Sequence, residues 1–236
     1  MHKQFAFAAS AALLSVSAHA VVVTQWNFNS APPDASSATG STVASIGAGT
    51  TALVGGATAT FASGTGSTDP AVTDNTGWNT STYATQGTGD KTRGVSFAVS
   101  TLGYNGVSIS WDQRHSNTAS KHVQFQYSLD GTSFTDFGAA FEASLGGDQW
   151  YLNRSVDLSG VTGVNNNANF TFRIVSTFAP TTSTYIASTT GSNYATTGTL
   201  RYDMVTLSAT LVPEPGTYAM LLAGLAAVGF LKRRRG

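Results

Sequence analysis

The sequence predicts an all-β protein, folded as an antiparallel β-sandwich of the jelly-roll type. Three observations lead to this class. Apolar and polar residues alternate over short runs, Gly-rich turns separate these runs, and the middle of the sequence shows no helical periodicity. Charged residues make up only 10% of the 236 residues, and the abundant Gly, Ser and Thr suit short strands and turns. One β-rich domain with short terminal segments is therefore expected.

The alternating runs define the expected strands, which lie at residues 22–28, 95–99, 107–111, 123–127, 170–175 and 200–211. In the last strand the apolar residues change phase, which predicts a bulge near Met204 or a strand buried on both faces. Asp130-Gly131 predicts a two-residue hairpin, and Gly55-Gly56 predicts another between weaker runs. Residues 30–50, 64–91 and 179–199 are expected to be loops, either functional or simply solvated.

The N-terminus, MHKQFAFAASAALLSVSAHA, has the pattern of a secretory signal peptide. Lys3 gives a positive start, an apolar stretch follows, and the small residues Ala18 and Ala20 stand where a signal peptidase reads. Residues 1–20 are therefore expected to be removed before Val21, the alternative being an N-terminal core helix. Since the chain has no cysteine, the core of the exported domain, residues 21–211, must hold the fold without disulfides.

The C-terminal apolar run, residues 217–231, is 15 residues long, which gives roughly 22 Å of helix against a hydrocarbon core of about 30 Å. It predicts a single short transmembrane helix, which flanking residues lengthen by snorkelling. The basic tail, residues 232–236, orients the helix with its end in the cytoplasm, through Lys232, Arg233, Arg234 and Arg235. Pro213 and Pro215 are expected to keep the segment before the helix extended, so that a protease or transpeptidase can bind it.

A proline-rich motif, a short apolar helix and a basic terminus follow one another in residues 212–236, and together they resemble the PEP-CTERM sorting signal of Gram-negative bacteria. The motif itself is Val212, Pro213, Glu214, Pro215 and Gly216. The resemblance implies recognition by a membrane-embedded exosortase that removes the tail, and a link to exopolysaccharide and biofilm. An ordinary single-pass anchor with accidental prolines is the alternative.

The middle of the chain carries a second resemblance. WDQRHSNT followed by VQFQYSLDGTSFTDF is similar to β-sandwich modules of secreted bacterial proteins, and RYDMVTL is similar to the closing strand of carbohydrate-binding jelly rolls and adhesion sandwiches. The similarity spans residues 95–211 and implies an extracellular binding or structural role without a catalytic motif. In such modules an acid on the last strand often holds structural Ca²⁺, and Asp203 occupies a similar place.

Several side chains are candidates for ligand binding. If Trp111 points inward, Asp112 and Arg114 share the opposite face, where they can pair with each other or bind a sugar hydroxyl or carboxylate. Aromatic residues in or beside loops can stack on sugars or pack in the core; those proposed for binding are Trp78, Tyr83, Trp150 and Tyr194. Asp69, Asp74 and Asn75 offer further oxygen ligands for calcium.

The balance of acidic and basic residues limits which partners the protein can bind. Between Val21 and Leu211 the chain has seven basic and eleven acidic residues, a formal charge of −4, which argues against nucleic acid as a partner. The sequence thus predicts a non-enzymatic protein of the cell surface or extracellular matrix, without catalytic residues and without a cofactor other than the candidate calcium. Its expected partners are the secretion machinery, signal peptidase, exosortase, the inner membrane transiently and exopolysaccharide. The alternatives are a carbohydrate-binding module and a secreted hydrolase using Asp112, Asp148 or Asp203.

Overall fold

The computed structural model describes residues 19–212 together with residues 222, 224–226, 229–230 and 233–234. Twelve strands occur in this described part. They are β1 (Ala20–Trp26), β2 (Thr50–Val54), β3 (Thr58–Ser63), β4 (Thr76–Ser81), β5 (Gly94–Ala98), β6 (Tyr104–His115), β7 (His122–Ser128), β8 (Thr135–Asp136), β9 (Phe141–Glu142), β10 (Gln149–Asp157), β11 (Thr171–Thr177) and β12 (Leu200–Leu211).

The strands form two antiparallel sheets. Sheet A has the order β10-β6-β12-β4-β3, and β1 also pairs with β12. Sheet B has the order β2-β5-β11-β7-β8, and β9 also pairs with β7. Strand β12 is central in sheet A, because its first residues pair with β4, its later residues pair with β1, and β6 lies along its other edge.

Aromatic side chains join the two sheets into one core. The ring centroids of Trp26 and Phe97 are 5.0 Å apart, and those of Trp111 and Phe125 are 5.9 Å apart. Each pair takes one ring from sheet A and the other from sheet B. The antiparallel sheets confirm the predicted all-β class and fit a β-sandwich, in which the inner faces of both sheets supply the core.

The alternating runs found in the sequence form strands as expected, because each run buries one face. In β6, for example, Val107, Ile109 and Trp111 are buried while the intervening serines are only partly buried. Strand β12 has the predicted bulge: its register shifts between Asp203 and Thr206, and Met204 has a φ of 47°. The bulge lets Tyr202 and Val205 both face the core.

The prediction of a hairpin at Gly55-Gly56 is wrong. Strand β2, before these glycines, pairs with β5 in sheet B, whereas β3, after them, pairs with β4 in sheet A. The turn therefore carries the chain from one sheet to the other. Gly55 and Gly56 have φ values of 66° and 84°, and a Cβ on Gly55 would lie 1.9 Å from the carbonyl oxygen of Thr92, so glycine is needed for this crossing.

The hairpin at Asp130-Gly131 exists between β7 and β8, but the predicted two-residue loop is wrong. Tyr127 pairs with Thr135, which leaves a longer loop between the strands. The Asp130 side chain widens this loop, because its Oδ1 accepts hydrogen bonds from the backbone N–H groups of Thr132 at 2.8 Å and Ser133 at 2.7 Å. An aspartate that bonds its own turn in this way competes with the tight hairpin geometry.

The two ends of the domain lie side by side. Ala20 begins β1 and is paired with Thr210 near the end of β12. Residues 1–18 of the expected signal peptide, including Ala18, lie outside the described residues, as do Pro213, Glu214, Pro215, Gly216, Lys232 and Arg235. The expected transmembrane helix is described only in part. None of the helical residues that are described forms a helix long and apolar enough to cross a membrane.

Candidate functional site

A row of side chains crosses the outer face of sheet A, which is the face turned away from the core. Arg114 on β6 lies opposite Trp150 on β10 and opposite Arg201 on β12. Arg201 in turn lies opposite Asn79 on β4, which lies opposite Thr60 on β3. These five residues, one from each strand, form the outer row. With strands about 4.8 Å apart, the row runs roughly 19 Å across the sheet.

The two arginines of the outer row are held differently. Nη2 of Arg114 lies 2.9 Å from Oδ1 of Asp148. Arg201 instead donates from Nη1 to the carbonyl oxygen of Ser63 at 2.6 Å and from Nε to Oδ1 of Asn79 at 3.3 Å. Burial and the neighbouring Arg114 lower the pKa of Arg201. Since none of the salt bridges among the described residues includes Arg201, the row carries an excess of positive charge.

The segment between β3 and β4, residues 64–75, covers the sheet beside the outer row and is called the covering loop. Nε1 of Trp150 donates to the carbonyl oxygen of Thr65 at 2.9 Å. Thr68 donates to Oδ2 of Asp112 from its backbone nitrogen at 2.5 Å and from its hydroxyl at 2.7 Å. Ser67 donates from its hydroxyl to Oδ2 of Asp203 at 2.7 Å. The loop is thus fixed by side chains of three neighbouring strands.

Asp112 and Asp203 lie opposite each other beneath the covering loop, with exposed fractions of 1% and 0%. The second oxygen of Asp112 accepts from the backbone N–H of Asn153 at 2.7 Å, and that of Asp203 accepts from the backbone N–H of Met204 at 2.7 Å. Burial raises the pKa of Asp203 to about 8, and the charges of Asp69 and Asp112 add to this effect. A proton on Asp203 therefore relieves repulsion between closely placed acids.

The surroundings of Asp203 offer few ligands for calcium. Oδ1 of Asn75 is buried without a hydrogen-bond partner, and it lies with Oδ2 of Asp203 close to the point where a Cβ on Gly64 would stand. Two acceptor oxygens so placed need a proton or a cation between them. Within the part of the chain that the structure describes, no three His, Cys, Asp or Glu side chains converge to hold a metal, and calcium takes 6–8 oxygens. A proton fits this site better, and calcium at Asp203 stays a prediction.

The C-terminal segment of the chain matches a known family of sorting motifs. Residues 211–235 match the family model described as a PEP-CTERM protein-sorting motif. This chain carries a PEP-CTERM sorting motif. The match begins at Leu211, the last residue of β12, so the motif follows directly on the folded domain. A PEP-CTERM motif implies export to the cell surface as a target of an exosortase.

Three solved structures are similar to the PEP-CTERM protein at low sequence identity. The CBM22-1-CBM22-2 tandem domain of Xyn10C from Paenibacillus barcinonensis has 14% identity and a TM-score of 0.47, covering 86% of this chain. The chain spans only 50% of that tandem domain. The C-terminal family 22 carbohydrate-binding module of Xyn10B from Clostridium thermocellum has 13% identity and a TM-score of 0.39, covering 68% of this chain and 86% of its own.

The third structure is the K1 cleaved adhesin domain of Lys-gingipain from Porphyromonas gingivalis W83. It has 12% identity and a TM-score of 0.33, covering 71% of this chain and 100% of its own. No curated protein matches the PEP-CTERM protein in sequence.

The structure brings some of the sequence-predicted binding residues of the PEP-CTERM protein together and separates others. Asp112, Arg114, Trp150 and Asp203 gather on the outer face of sheet A. Trp78 and Tyr83 are instead buried in the core, at 5% and 2% exposure, where Trp78 packs on Phe28 with ring centroids 5.6 Å apart. Neither ring offers a face to a sugar in this conformation.

Tyr194 lies away from the outer row, stacked on Tyr185 at 4.6 Å, and its hydroxyl donates to the carbonyl oxygen of Ala84.

Two residues of the outer row, Arg201 and Asn79, were not among the binding residues predicted from the sequence. Arg201 alternates with the apolar Leu200 and Tyr202, so its outward direction was readable. Asn79 could not be identified because β4 lies within residues 64–91, which the sequence predicted to be a loop.

The carboxylates considered for a hydrolase are not presented to a substrate as a set. Asp112 and Asp203 are buried beneath the covering loop and accept hydrogen bonds from it. Asp148 is more exposed and is engaged by Arg114 and by Nδ2 of Asn117 at 2.8 Å. General acid–base work on a glycoside needs two carboxyl groups flanking one bond, and the covering loop separates this pair from solvent.

Proposed function

We propose that the PEP-CTERM protein is a non-enzymatic component of the cell surface or extracellular matrix, associated with exopolysaccharide or biofilm. In this proposal residues 1–20 direct secretion and are removed by signal peptidase, and the C-terminal tail holds the protein at the inner membrane until an exosortase cleaves it. The observation that carries the proposal is the sorting motif at residues 211–235, placed directly after the last strand of the domain.

The placement of the two ends supports this route. Because Ala20 pairs with Thr210, the signal peptide and the sorting tail leave the domain from neighbouring strands at one end of sheet A. Both segments can then lie in one membrane while the whole domain stays on a single side of it. Val212 remains attached to the domain, since its N–H donates to the carbonyl oxygen of Gly103 at 2.9 Å, and the Pro-Glu-Pro residues of the motif follow this anchor directly in the sequence.

The test is to express the full chain in a host with an exosortase, fractionate the cells and determine the C-terminus by mass spectrometry. We expect matrix or surface material ending near residues 212–215, and accumulation in the inner membrane for a variant with Pro213→Ala and Pro215→Ala. Pro180→Ala, in an exposed loop, is the matched control and should be processed normally. Surface protein that still carries Lys232 would contradict the proposed processing.

A second candidate function, carbohydrate binding, is favoured by the outer row. An indole at one end and two guanidinium groups beside it offer a surface for stacking and for hydrogen bonds to hydroxyls or carboxylates. The row crosses five strands, so it is long enough to contact several units of an extended polymer. Trp150, Arg114 and Arg201 are the residues that would bind.

Affinity electrophoresis in polysaccharide gels tests this second function. Trp150→Ala should weaken binding about tenfold, since truncating an aromatic anchor can cost more than ~1 kcal/mol. Leu152→Ala, an exposed residue on the same strand, should leave binding unchanged. Equal binding by both variants would remove the outer row as the ligand face without affecting the proposal that the protein is exported to the surface.

A further inference from the structure

Buried hydrogen-bond donors collect on the inner face of sheet A near the edge strand β10. Nε2 of Gln113, Nε and Nη1 of Arg154, and the hydroxyl of Tyr202 are all buried without a hydrogen-bond partner. The residues themselves are 0%, 7% and 0% exposed, respectively. Buried polar groups are nearly always paired. Four unpaired atoms on neighbouring strands therefore indicate a bound group that accepts their hydrogen bonds.

These three side chains are neighbours through strand pairing. Gln113 on β6 lies opposite Tyr202 on β12, and Arg154 on β10 lies opposite Trp111 on β6. All of them face the core, because Trp111 stacks on Phe125 of sheet B at 5.9 Å. Side chains opposite or diagonal on one face of a sheet are within contact distance. The four unpaired atoms therefore belong to neighbouring side chains on the inner face of sheet A.

The orientation of each group is set by its other hydrogen bonds. Oε1 of Gln113 accepts from Nε1 of Trp111 at 3.4 Å, which leaves the amide nitrogen as the free end. Nη2 of Arg154 donates to the carbonyl oxygen of Glu142 at 3.0 Å, so Nε and Nη1 are the remaining edges of the guanidinium. Nε2 of His115, also buried and unpaired, is an acceptor near Arg154, because the Nδ1 of His115 faces the carbonyl oxygen of Ser120. The donor atoms of Gln113, Arg154 and Tyr202 still outnumber it, so the region can take a further acceptor.

The charge of Arg154 independently indicates that this region holds a negatively charged group. None of the ion pairs among the described residues includes Arg154. The rings of Tyr151 and Phe141, at 4.7 Å and 5.4 Å from Cζ, compensate its charge only in part. Burial lowers the pKa of Arg154 to about 10, so the group keeps its proton at neutral pH. A buried charge normally has a partner of opposite sign.

We propose that Arg154 binds a small monovalent inorganic anion of the chloride class between the two sheets, with Gln113 and Tyr202 as further donors. A water molecule could accept the same hydrogen bonds, but it would leave the guanidinium charge without a counterion. A single negative charge matches the single positive one. The surrounding rings of Trp111, Phe141 and Tyr151 cannot replace a hydration shell, so they favour an ion that loses its water readily.

The first experiment measures Tm of the full chain in sodium chloride, sodium bromide and sodium gluconate at equal ionic strength. For an anion at about ten times its Kd, we expect chloride and bromide to raise Tm by about 3 °C over gluconate. Arg154→Met removes the charge and the donors at similar volume, and its Tm should not depend on the anion. In gluconate this variant should be at least as stable as the wild type, because a buried unpaired charge has been removed.

Arg173→Met is the matched control. Arg173 also lies over an aromatic ring, with Cζ 3.9 Å from the centroid of Phe134, but its Nε donates to Gln126 at 2.5 Å. This variant should keep the response to chloride. If Arg154→Met does not fold, crystals of the wild type grown in bromide decide the question: an anomalous peak within hydrogen-bond distance of Arg154 supports the proposal. The same Tm in all three salts, or density for water alone without a bromide peak, would overturn it.

Discussion

Asp203 lies opposite Asp112 on the outer face of sheet A, and the covering loop shields both carboxylates from solvent. Two buried acids so close together cannot both ionise without cost. The structure resolves this by raising the pKa of Asp203 to about 8, so that Asp203 holds a proton where an unfolded aspartate has lost it. The covering loop is therefore coupled to pH through one carboxyl group.

Asp203→Asn should make the stability of the protein less dependent on pH. Between the unfolded pKa near 4 and the folded value of about 8, the folded state binds more protons than the unfolded state. Stability therefore falls as pH rises through this window, by up to about 1.4 kcal/mol per pH unit. Urea unfolding at pH 6.5 and pH 8 should show this slope in the wild type and a flatter one in Asp203→Asn.

The control for this measurement is Asp157→Asn, because Asp157 is exposed and its pKa is lowered by hydrogen bonds to Ser159. That variant should keep the slope of the wild type between pH 6.5 and pH 8. The same titrations with added Ca²⁺ test the calcium prediction. If Ca²⁺ raised Tm in the wild type but not in Asp203→Asn, an ion rather than a proton would occupy this place.

Gly64→Ala should loosen the covering loop. A Cβ at Gly64 would lie 1.8 Å from Oδ1 of Asn75 and 2.7 Å from Oδ2 of Asp203. Such overpacking costs about 1–3 kcal/mol, and we expect faster hydrogen exchange over residues 64–75. Gly160→Ala is the matched control, since nothing lies within 4 Å of its Cβ position. Equal exchange in both variants would show that the close packing of Asn75 and Asp203 against Gly64 does not hold the loop.

His115 should remain neutral well below the usual histidine range. Burial, and then the charge of Arg154, lower its pKa to about 3, and its Nδ1 lies 2.8 Å from the carbonyl oxygen of Ser120. The nitrogen facing this acceptor must carry the hydrogen, so nitrogen NMR at pH 5 should show the Nδ1–H tautomer. Unfolded histidine takes up a proton below about 6.5, so His115 lowers stability as pH falls from 6.5 towards 3. A protonated ring at pH 5 would contradict this assignment.

The sequence allowed prediction of strands whose apolar alternation is strong, such as β6, β7 and β11. It failed for β4 and β10, for different physical reasons. In β4 a single large apolar residue, Trp78, gives too little pattern, and the strand forms because β3 and β12 pair with both of its edges. In β10 a register shift between Tyr151 and Arg154 breaks the alternation, so the period of two is lost in the sequence.

Some features of the candidate site could likewise be predicted from the sequence, and others could not. The outward direction of Asp112 and Arg114 followed from the inward direction of Trp111, because neighbours along a strand face opposite sides. That Asp203 would meet Asp112 depended on pairing between β12 and β6, which no local pattern encodes. The covering loop is still less predictable, since Thr68 and Ser67 are ordinary loop residues until the folded sheet presents two carboxylates to them.

The central place of β12 in sheet A has a consequence for the order in which the protein is made. β1, β4 and β6 all pair with this strand, yet it is the last of the described strands to be synthesised. Sheet A cannot close until residue 211 is available, and contacts so distant in sequence form slowly. Sheet A can therefore be completed only when the sorting motif, which begins at residue 211, is about to follow.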